Sequence, residues 1–418
     1  MASDLPNLRH LRAFAAVAAL SSVNAGAEAV NLSQPAVTQA IAKLEAAFGA
    51  ALIARRSSGS YTTEAGSILS ARLARFFAQL RSAIGEAAGP SVRRDAGALS
   101  ALEQRITVPQ IRALITVAEA GSFAQAARTS RRAEPSLHRA ARDVERLVGR
   151  PLFIRAVTGI GPNKGALELA RRLKVAIREI DQAREEISAL QGSVSARLAI
   201  ASLPLARTLI LPRTVNALLE TYPDAMVEIV DGPYDNLLLD LRSGSVDFLI
   251  GAMRNPPPAG DVAESFLLDD PFAVVARRGH PLFGAAAVTP EAMAGFDWVV
   301  PRRGAPIRRA FEHLFAGVPK PPRIHVETSS LVVTRAILSE TDRLTLLSRR
   351  QIAVEEAVGL LQVVPFPLPE TSRPIGVTTR IDFLPSPIHR TFLDLLRLHA
   401  RAQSEASTDP AAQMRRSR

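Results

Sequence analysis

The sequence predicts a multidomain protein in which one small all-α domain occurs twice and an α/β domain follows. Three observations carry this. At the ~100–200 residues usual for a domain, 418 residues are enough for about three cores. The first half repeats itself at a fixed offset, and the second half changes from helical periodicity to short apolar strands separated by helix-length segments. A composition 47% hydrophobic and 22% charged excludes a largely disordered chain. Cysteine is absent, which excludes disulfides, zinc ribbons, iron–sulfur clusters and a thiol nucleophile.

The repeat has a constant shift of 100 residues. From position 8 to position 56, without a gap, twelve of 49 positions are identical, among them Arg12/Arg112, Val17/Val117, Ser22/Ser122, Pro35/Pro135, Glu45/Glu145, Gly49/Gly149, Leu52/Leu152 and Arg55/Arg155. Pairs such as Phe14/Leu114, Val37/Leu137 and Leu44/Val144 keep their apolar character. Ungapped similarity of this length predicts one domain present twice.

Each copy opens with a helix whose apolar stripe is Leu11, Phe14, Val17 and Ala18, or Ile111, Leu114, Val117 and Ala118. Ser22 and Ser122 then stand where an N-cap would start a short second helix. Ser33-Gln34-Pro35-Ala36 and Ala133-Glu134-Pro135-Ser136 open a third, with proline in the first turn where its missing N–H costs nothing. That helix buries Val37, Ile41 and Leu44 and stops near Gly49. Helix, turn, then a helix with an exposed polar N-terminus is the layout of a helix-turn-helix DNA reader. A short hairpin, or wing, follows each third helix, with Gly59 or Gly159 supplying the turn. Its arginines, Arg55, Arg56 and Arg155, can pair with phosphate, enter the minor groove or stand as solvated surface charges.

Copy one runs into an alanine-rich helical stretch with Leu69, Leu73, Phe76, Leu80 and Ile84 and breaks at Gly89-Pro90-Ser91. Copy two continues into a heptad-like seam of Leu173, Ala176, Ile180, Ala183, Ile187 and Leu190, ended by Gly192. A helix apolar along one seam needs a partner helix, from a second chain or from its own. The charge divides unevenly: 26 Lys/Arg against 16 Asp/Glu through Gln191, then 25 against 24. The basic excess predicts one polyanion-facing half. Copy two carries +6 between Thr107 and Lys164, with Arg128, Arg131, Arg132, Arg139 and Arg142, against +2 for Leu8 to Gly66. Copy two therefore reads as the stronger phosphate binder.

No charge-free apolar run approaches the ~18 residues of a membrane span, so no membrane association is expected. Arg9 to Ala27 imitates a secretory leader, but the same character recurs in mid-chain at Arg112 to Ala127, and a cytoplasmic protein is expected.

From Ala196, strands are expected at Leu198–Ala201, Val227–Val230, Phe248–Gly251, Ala273–Val275, Trp298–Val300, Ile324–Val326 and Leu344–Leu347. Their alternation with helix-length segments predicts a mostly parallel sheet. The seven histidines form no zinc pattern, and neither a nucleophile elbow nor a phosphate loop occurs, so no catalytic residue, metal site or cofactor is expected.

Both copies resemble the winged helix-turn-helix of LysR-type transcriptional regulators. The resemblance lies in Ser33-Gln34-Pro35-Ala36-Val37-Thr38, Leu44-Glu45, Gly49, Leu52, Arg55 and Thr62 to Gly66, and again in Gly121-Ser122-Phe123, Pro135, Glu145, Gly149, Pro151-Leu152-Phe153 and Arg155. Val23, Gly26, Glu134 and Arg131-Arg132 depart from the family pattern, and the family normally carries one such domain. Leu211-Pro212, Tyr222-Pro223, Leu241 to Gly244, Asp247 and Gly279 to Leu282 extend the resemblance through the second half. Gly232-Pro233-Tyr234 and Gly251 to Arg254 stand nearest the branch regulating sugar-binding-protein genes.

The resemblance implies a ligand-responsive regulator of promoter DNA. Its expected fold is two winged helix-turn-helix domains, 6–66 and 106–164, and a two-lobed α/β periplasmic-binding-protein-like effector domain, 193–402. A helical linker, 67–104, separates the copies, a dimerisation helix, 165–192, precedes the effector domain, and a disordered tail, 403–418, ends the chain. Expected DNA contacts are Ser33, Gln34, Pro35, Ala36, Thr38, Gln39, Lys43, Arg55 and Arg56 in copy one, and Glu134, Ser136, His138, Arg139, Arg142 and Arg155 in copy two. Ligands in α/β lobes meet the C-terminal ends of strands and the following helix N-termini. This singles out Ser202, Leu203, Gly251, Arg302, Thr328, Ser329 and Ser348, although each serine reads equally as a plain N-cap. The resemblance places effector contacts at Ser202 and Ser329. A sugar, sugar acid or aromatic acid fits as effector, with RNA polymerase as a further partner and a homodimer or homotetramer as the assembly. A periplasmic-type solute receptor and an enzyme on the same two-lobed scaffold are the competing readings; the mid-chain repeat argues against the first and the missing motifs against the second.

Overall fold

The computed structural model describes residues 5–408 except 58, 157–158, 193–195, 209 and 369–370, and the chain divides into two compact units. The first holds both copies of the repeat. Copy one is α1 (Leu8–Leu20), α2 (Val23–Ala29), α3 (Gln34–Phe48) and a hairpin of β1 (Ile53–Arg56) and β2 (Gly59–Thr62), followed by the long α4 (Glu64–Ala88). Two short helices, α5 (Pro90–Arg94) and α6 (Ala96–Arg105), lead to copy two: α7 (Val108–Ala120), α8 (Phe123–Ser130), α9 (Glu134–Val148), the hairpin β3 (Phe153–Ala156) and β4 (Gly159–Pro162), and α10 (Lys164–Leu190).

The identities in the repeat mark the joints of this architecture. Ser22 and Ser122 cap α2 and α8, accepting from the amides of Ala25 and Gln125 at 3.3 and 3.2 Å. Gly49 and Gly149 end α3 and α9 in the left-handed region, at φ of +68° and +67°, where a side chain would be strained. Glu45 then accepts from the amides of Leu52 and Ile53, and Glu145 from those of Leu152 and Phe153, at 2.8–3.3 Å, so one carboxylate in each copy fixes where the wing leaves the third helix. Burial pushes the Glu145 carboxyl up, but those two amides and the Arg142 guanidinium outweigh it and hold it below the usual range.

Leu11, Phe14, Leu69, Leu73, Phe76, Leu80 and Ile84 of copy one and Ile111, Leu114, Val117, Leu173, Ala176, Ile180, Ala183 and Ile187 of copy two belong to one continuous buried cluster. The partner of the α10 seam is thus α4 of the same chain. Leu190, its last position, is exposed. Inside this helix pair Arg72, 1% exposed, donates to Glu179, Gln182 and Glu186, each at 2.9 Å.

The second unit contains β5 (Arg197–Ser202), α11 (Ile210–Thr221), β6 (Met226–Val230), α12 (Tyr234–Arg242), β7 (Phe248–Ala252), β8 (Val262–Asp270), β9 (Phe272–Arg277), α13 (Pro290–Ala294), β10 (Trp298–Val300), α14 (Pro306–Leu314), β11 (Ile324–Glu327), α15 (Leu331–Glu340), β12 (Thr345–Ser348), α16 (Ala353–Ala357), β13 (Leu361–Val363), β14 (Arg373–Arg380) and α17 (Pro387–Thr408). One sheet runs β6-β5-β7-β14-β8; a second, β12-β9-β13, adjoins the parallel pair β10-β11 through a bridge from Trp298 to Leu344. The chain crosses between sheets at Pro271 and returns before Arg373.

Two expectations are corrected here. The sheets are mixed rather than mostly parallel: β5 and β7 are parallel, but β14 runs antiparallel to β7 and β8, and β9 antiparallel to β12 and β13. Residues 403–408, assigned to a disordered tail, continue α17 as helix; 409–418 lie outside the described residues.

Candidate nucleic-acid interface and effector site

In copy one the N-terminal turn of α3 projects from a scaffold pinned at both ends. Ser33 is spent as its cap, accepting from the Ala36 amide at 3.4 Å. Gln34, Pro35, Gln39 and Lys43 are exposed, with Ala36 half-buried, and the wing adds exposed Arg55 and Arg56. Thr38 differs from expectation: its hydroxyl is buried with no hydrogen-bond partner among the described residues, so it faces the protein rather than solvent. The surface on offer is two amides flanked by cations, chemistry that pairs with base edges and phosphates respectively.

The corresponding surface of copy two is more cationic. Glu134, Ser136, Arg139 and Arg155 are exposed, as are Arg128, Arg131 and Arg132. His138 is half-buried and packs its ring 4.8 Å from that of Phe123. Arg142 is engaged internally, donating to Glu145 at 2.5 Å and lying 5.5 Å over the Phe153 ring. Residues 31 and 131 form the tight turn before each third helix, both left-handed at φ of +52° and +53°. Asparagine tolerates that conformation; arginine at the same place in copy two is strained.

In the second unit the expected effector residues fall into two groups. Ser202, Leu203 and Gly251 meet where β5 and β7 end side by side. The Leu203 amide donates to the Ile250 carbonyl at 2.9 Å, and a methyl group at Gly251 would collide with Leu203. Ser202 is fully buried, and its carbonyl accepts from Arg207 Nε at 3.0 Å. Burial lowers the Arg207 pKa against the opposing pull of Asp231, 3.4 Å away. Arg302, Thr328 and Ser329 form the other group at the ends of β10 and β11, joined by the Thr328 amide donating to the Val300 carbonyl at 2.9 Å. Arg302 and Ser329 are exposed, and Ser330 rather than Ser329 caps α15. Ser348 belongs to neither group: its buried hydroxyl donates to Asp270, which also pairs with Arg350 and Arg373, both at 3.1 Å. One carboxylate thereby ties the first crossing between the sheets to the return crossing.

Sequence reasoning missed Arg207 and the stack of Arg254 on Tyr234, 4.1 Å from guanidinium carbon to ring centre. Each is a cation beside a strand end, a signal present at Arg207 five residues after Ser202. Among the described residues no group of His, Asp or Glu could hold a metal ion, and no helix is long and apolar enough to cross a membrane.

The profile of the LysR substrate binding domain matches residues 191–401, and that of the bacterial regulatory helix-turn-helix protein, lysR family, matches 8–67 and again 98–165. This chain belongs to the LysR family. Family membership makes it a ligand-responsive, DNA-binding transcriptional regulator and not an enzyme. The HTH-type transcriptional regulator GalR of Pseudomonas putida is 33% identical over 389 residues, 92% of this chain and 95% of that one, so the two are of similar length. The HTH-type transcriptional regulator PcaQ of Agrobacterium fabrum is 26% identical over 287 residues, 68% of this LysR chain and 92% of its own, and is shorter by about the length of one copy. A full-length OxyR variant from Pseudomonas aeruginosa shares the fold at a TM-score of 0.51, with 20% identity over 71% of this chain and 95% of that one.

Proposed function

We propose that this regulator reads promoter DNA in the cytoplasm with two winged helix-turn-helix domains, 6–66 and 106–164, and that a small effector held by a two-lobed domain, 193–402, changes its grip. Copy one reads bases. The observation that carries this assignment is the capped α3 turn presenting Gln34 and Gln39 to solvent beside the Arg55-Arg56 wing. Copy two chiefly holds phosphates through Arg131, Arg132, Arg139 and Arg155. Arginine standing at a left-handed position supports that role, since asparagine fills the same turn in copy one without the strain.

The effector contacts both groups of residues, Ser202, Leu203 and Gly251 on one sheet and Arg302, Thr328 and Ser329 on the other. The exposed Ser329 with Arg207 and Arg302 fits a sugar, sugar acid or aromatic acid, and Ser202 and Thr328, whose hydroxyls bond the Leu203 carbonyl and the Ser330 amide, shape the floor of each group. A ligand touching both sheets favours one setting of the two crossings and so shifts DNA affinity, to be read out by RNA polymerase. The test is footprinting of the full chain on the region upstream of its own coding sequence, with and without a panel of those ligands. Gln34→Ala with Gln39→Ala should weaken cognate binding by roughly 1–3 kcal/mol per base contact and spare a random duplex. Equal loss on both duplexes would remove base reading from α3.

A further inference from the structure

The two copies face each other across α4 and α10 with matched contacts. Gln79 and Glu179 occupy the same position of the two copies, and they touch, Gln79 Nε2 donating to Glu179 Oε1 at 3.3 Å. Away from that point the contacts come in pairs. The end of α10 reaches the cap of α3, where Gln191 donates to the Gly49 carbonyl at 2.6 Å. The end of α4 reaches the same place in copy two, where a Cβ at Gly89 would lie 2.9 Å from the Arg150 guanidinium. Likewise α3 packs on α10, and α9 on α4. A contact of i with j mirrored by its equivalent is the signature of a two-fold, isologous interface, normally formed between separate chains.

The two sides are not identical. Arg72 is sealed against Glu179 and Glu186, whereas its counterpart Arg172 pairs with Glu168 at 2.8 Å and Glu86 with Arg93 at 2.6 Å, leaving a cavity of about 250 Å³ among Glu86, Arg150, Glu168 and Arg172. The surfaces at the tips differ too, amide-bearing in copy one and arginine-rich in copy two.

We propose that a single chain is a complete two-headed reader of DNA. The α4–α10 pair presents α3 and α9 to two neighbouring segments of one duplex, spaced as the half-sites of a helix-turn-helix dimer are, by whole helical turns. Because the heads differ, the target is directional: a base-read segment lies under copy one and a phosphate-held segment under copy two, and no palindrome is needed. This rests on the DNA-reading role of the two copies proposed above.

The absence of cysteine makes the test direct. Asn24 and Ala124 are the same exposed position of α2 and α8, the helices that lie against the backbone in such readers. Full-length Asn24→Cys and Ala124→Cys chains, each bearing an iron–EDTA cleavage reagent, are bound to a duplex from upstream of the gene and to a random duplex of equal length. Bound chains are counted by native mass spectrometry. The expected result is one cut segment from each label, adjacent, in fixed order, in a complex of one chain with one duplex. The proposal is overturned if the Asn24→Cys chain alone cuts two segments related by a dyad, if only Asn24→Cys cuts, or if both cuts require two chains. If neither label cuts and the upstream duplex is bound no better than the random one, the DNA-reading role of the copies falls with it.

Discussion

Replacing Arg72 by alanine should loosen the helix-rich unit while sparing the other. The side chain is 2% exposed, and its removal takes the guanidinium from two carboxylates of α10, Glu179 at 6% and Glu186 at 18% exposure. Taking one partner from a buried ion pair costs about 3–5 kcal/mol, because the charge left behind is desolvated and unpaired. Arg75, 3.1 Å from Glu179, remains to offset part of this, which places the loss near the lower figure. At a urea slope of about 2–3 kcal/mol per molar, the midpoint should fall by about 1 M. Two probes distinguish the units: far-ultraviolet circular dichroism is weighted toward the first, which holds ten of the seventeen α-helices among the described residues, and the single tryptophan, Trp298, is fully buried in the other and reports its share of the signal separately. The helical transition should move and the Trp298 fluorescence transition should not. Unchanged helical unfolding, or equal movement of both, would refute the assignment of Arg72 as the tie between the two copies. Pairing Arg72→Met with Glu179→Gln should recover part of the loss, since no unpaired charge then remains at Glu179.

Arg131→Asn should act with opposite signs on folding and binding: relief of the left-handed strain raises stability by up to about 1 kcal/mol, while the slope of log K against log salt falls by about 0.9 for the lost phosphate contact. Calorimetric melting and a salt titration of DNA binding check the two halves separately. Ser329→Ala or Ser202→Ala should raise the effector concentration needed to change DNA binding without altering ligand-free affinity; equal response of wild type and both variants would move the site elsewhere. Glu168, held to about 2 chiefly by hydrogen bonds from Arg171, contributes stability that is present above its ordinary pKa of about 4.5 and lost as pH falls toward 2. Since that carboxylate is 43% exposed, solvent screening keeps the effect small, and Glu168→Gln should flatten the acid limb of the unfolding curve only slightly.

The first unit was legible because its signals are local and appear twice: caps at Ser22 and Ser122, stops at Gly49 and Gly149, stripes at the helical period. What escaped depends on distant partners. Strand β14 carries Pro374 and few apolar residues, yet it lies between β7 and β8. The proline sits beyond its pairing with β7, which begins at Ile375, so its missing N–H breaks no bond there. The acidic end of β8 hid a strand whose last residue, Asp270, serves the crossings rather than the ladder. Ser348 matched the position of a ligand contact and is used on that carboxylate instead. Thr38 matched the reading-helix pattern, but helical rotation turns its hydroxyl inward. Arg72 could have been flagged, since a lone cation in an apolar stripe, opposite glutamates seven residues apart, calls for pairing.

Placing α4 and α10 on one polypeptide also changes how the regulator responds to its own abundance. Helices contributed by separate subunits part by mass action when a cell holds few copies, so the paired fraction falls with dilution. Covalent connection makes the encounter unimolecular, at an effective concentration that no change in expression alters. Head pairing therefore survives at a few molecules per cell, and if one chain is the two-headed reader proposed above, promoter occupancy rises with the first power of protein concentration rather than the second.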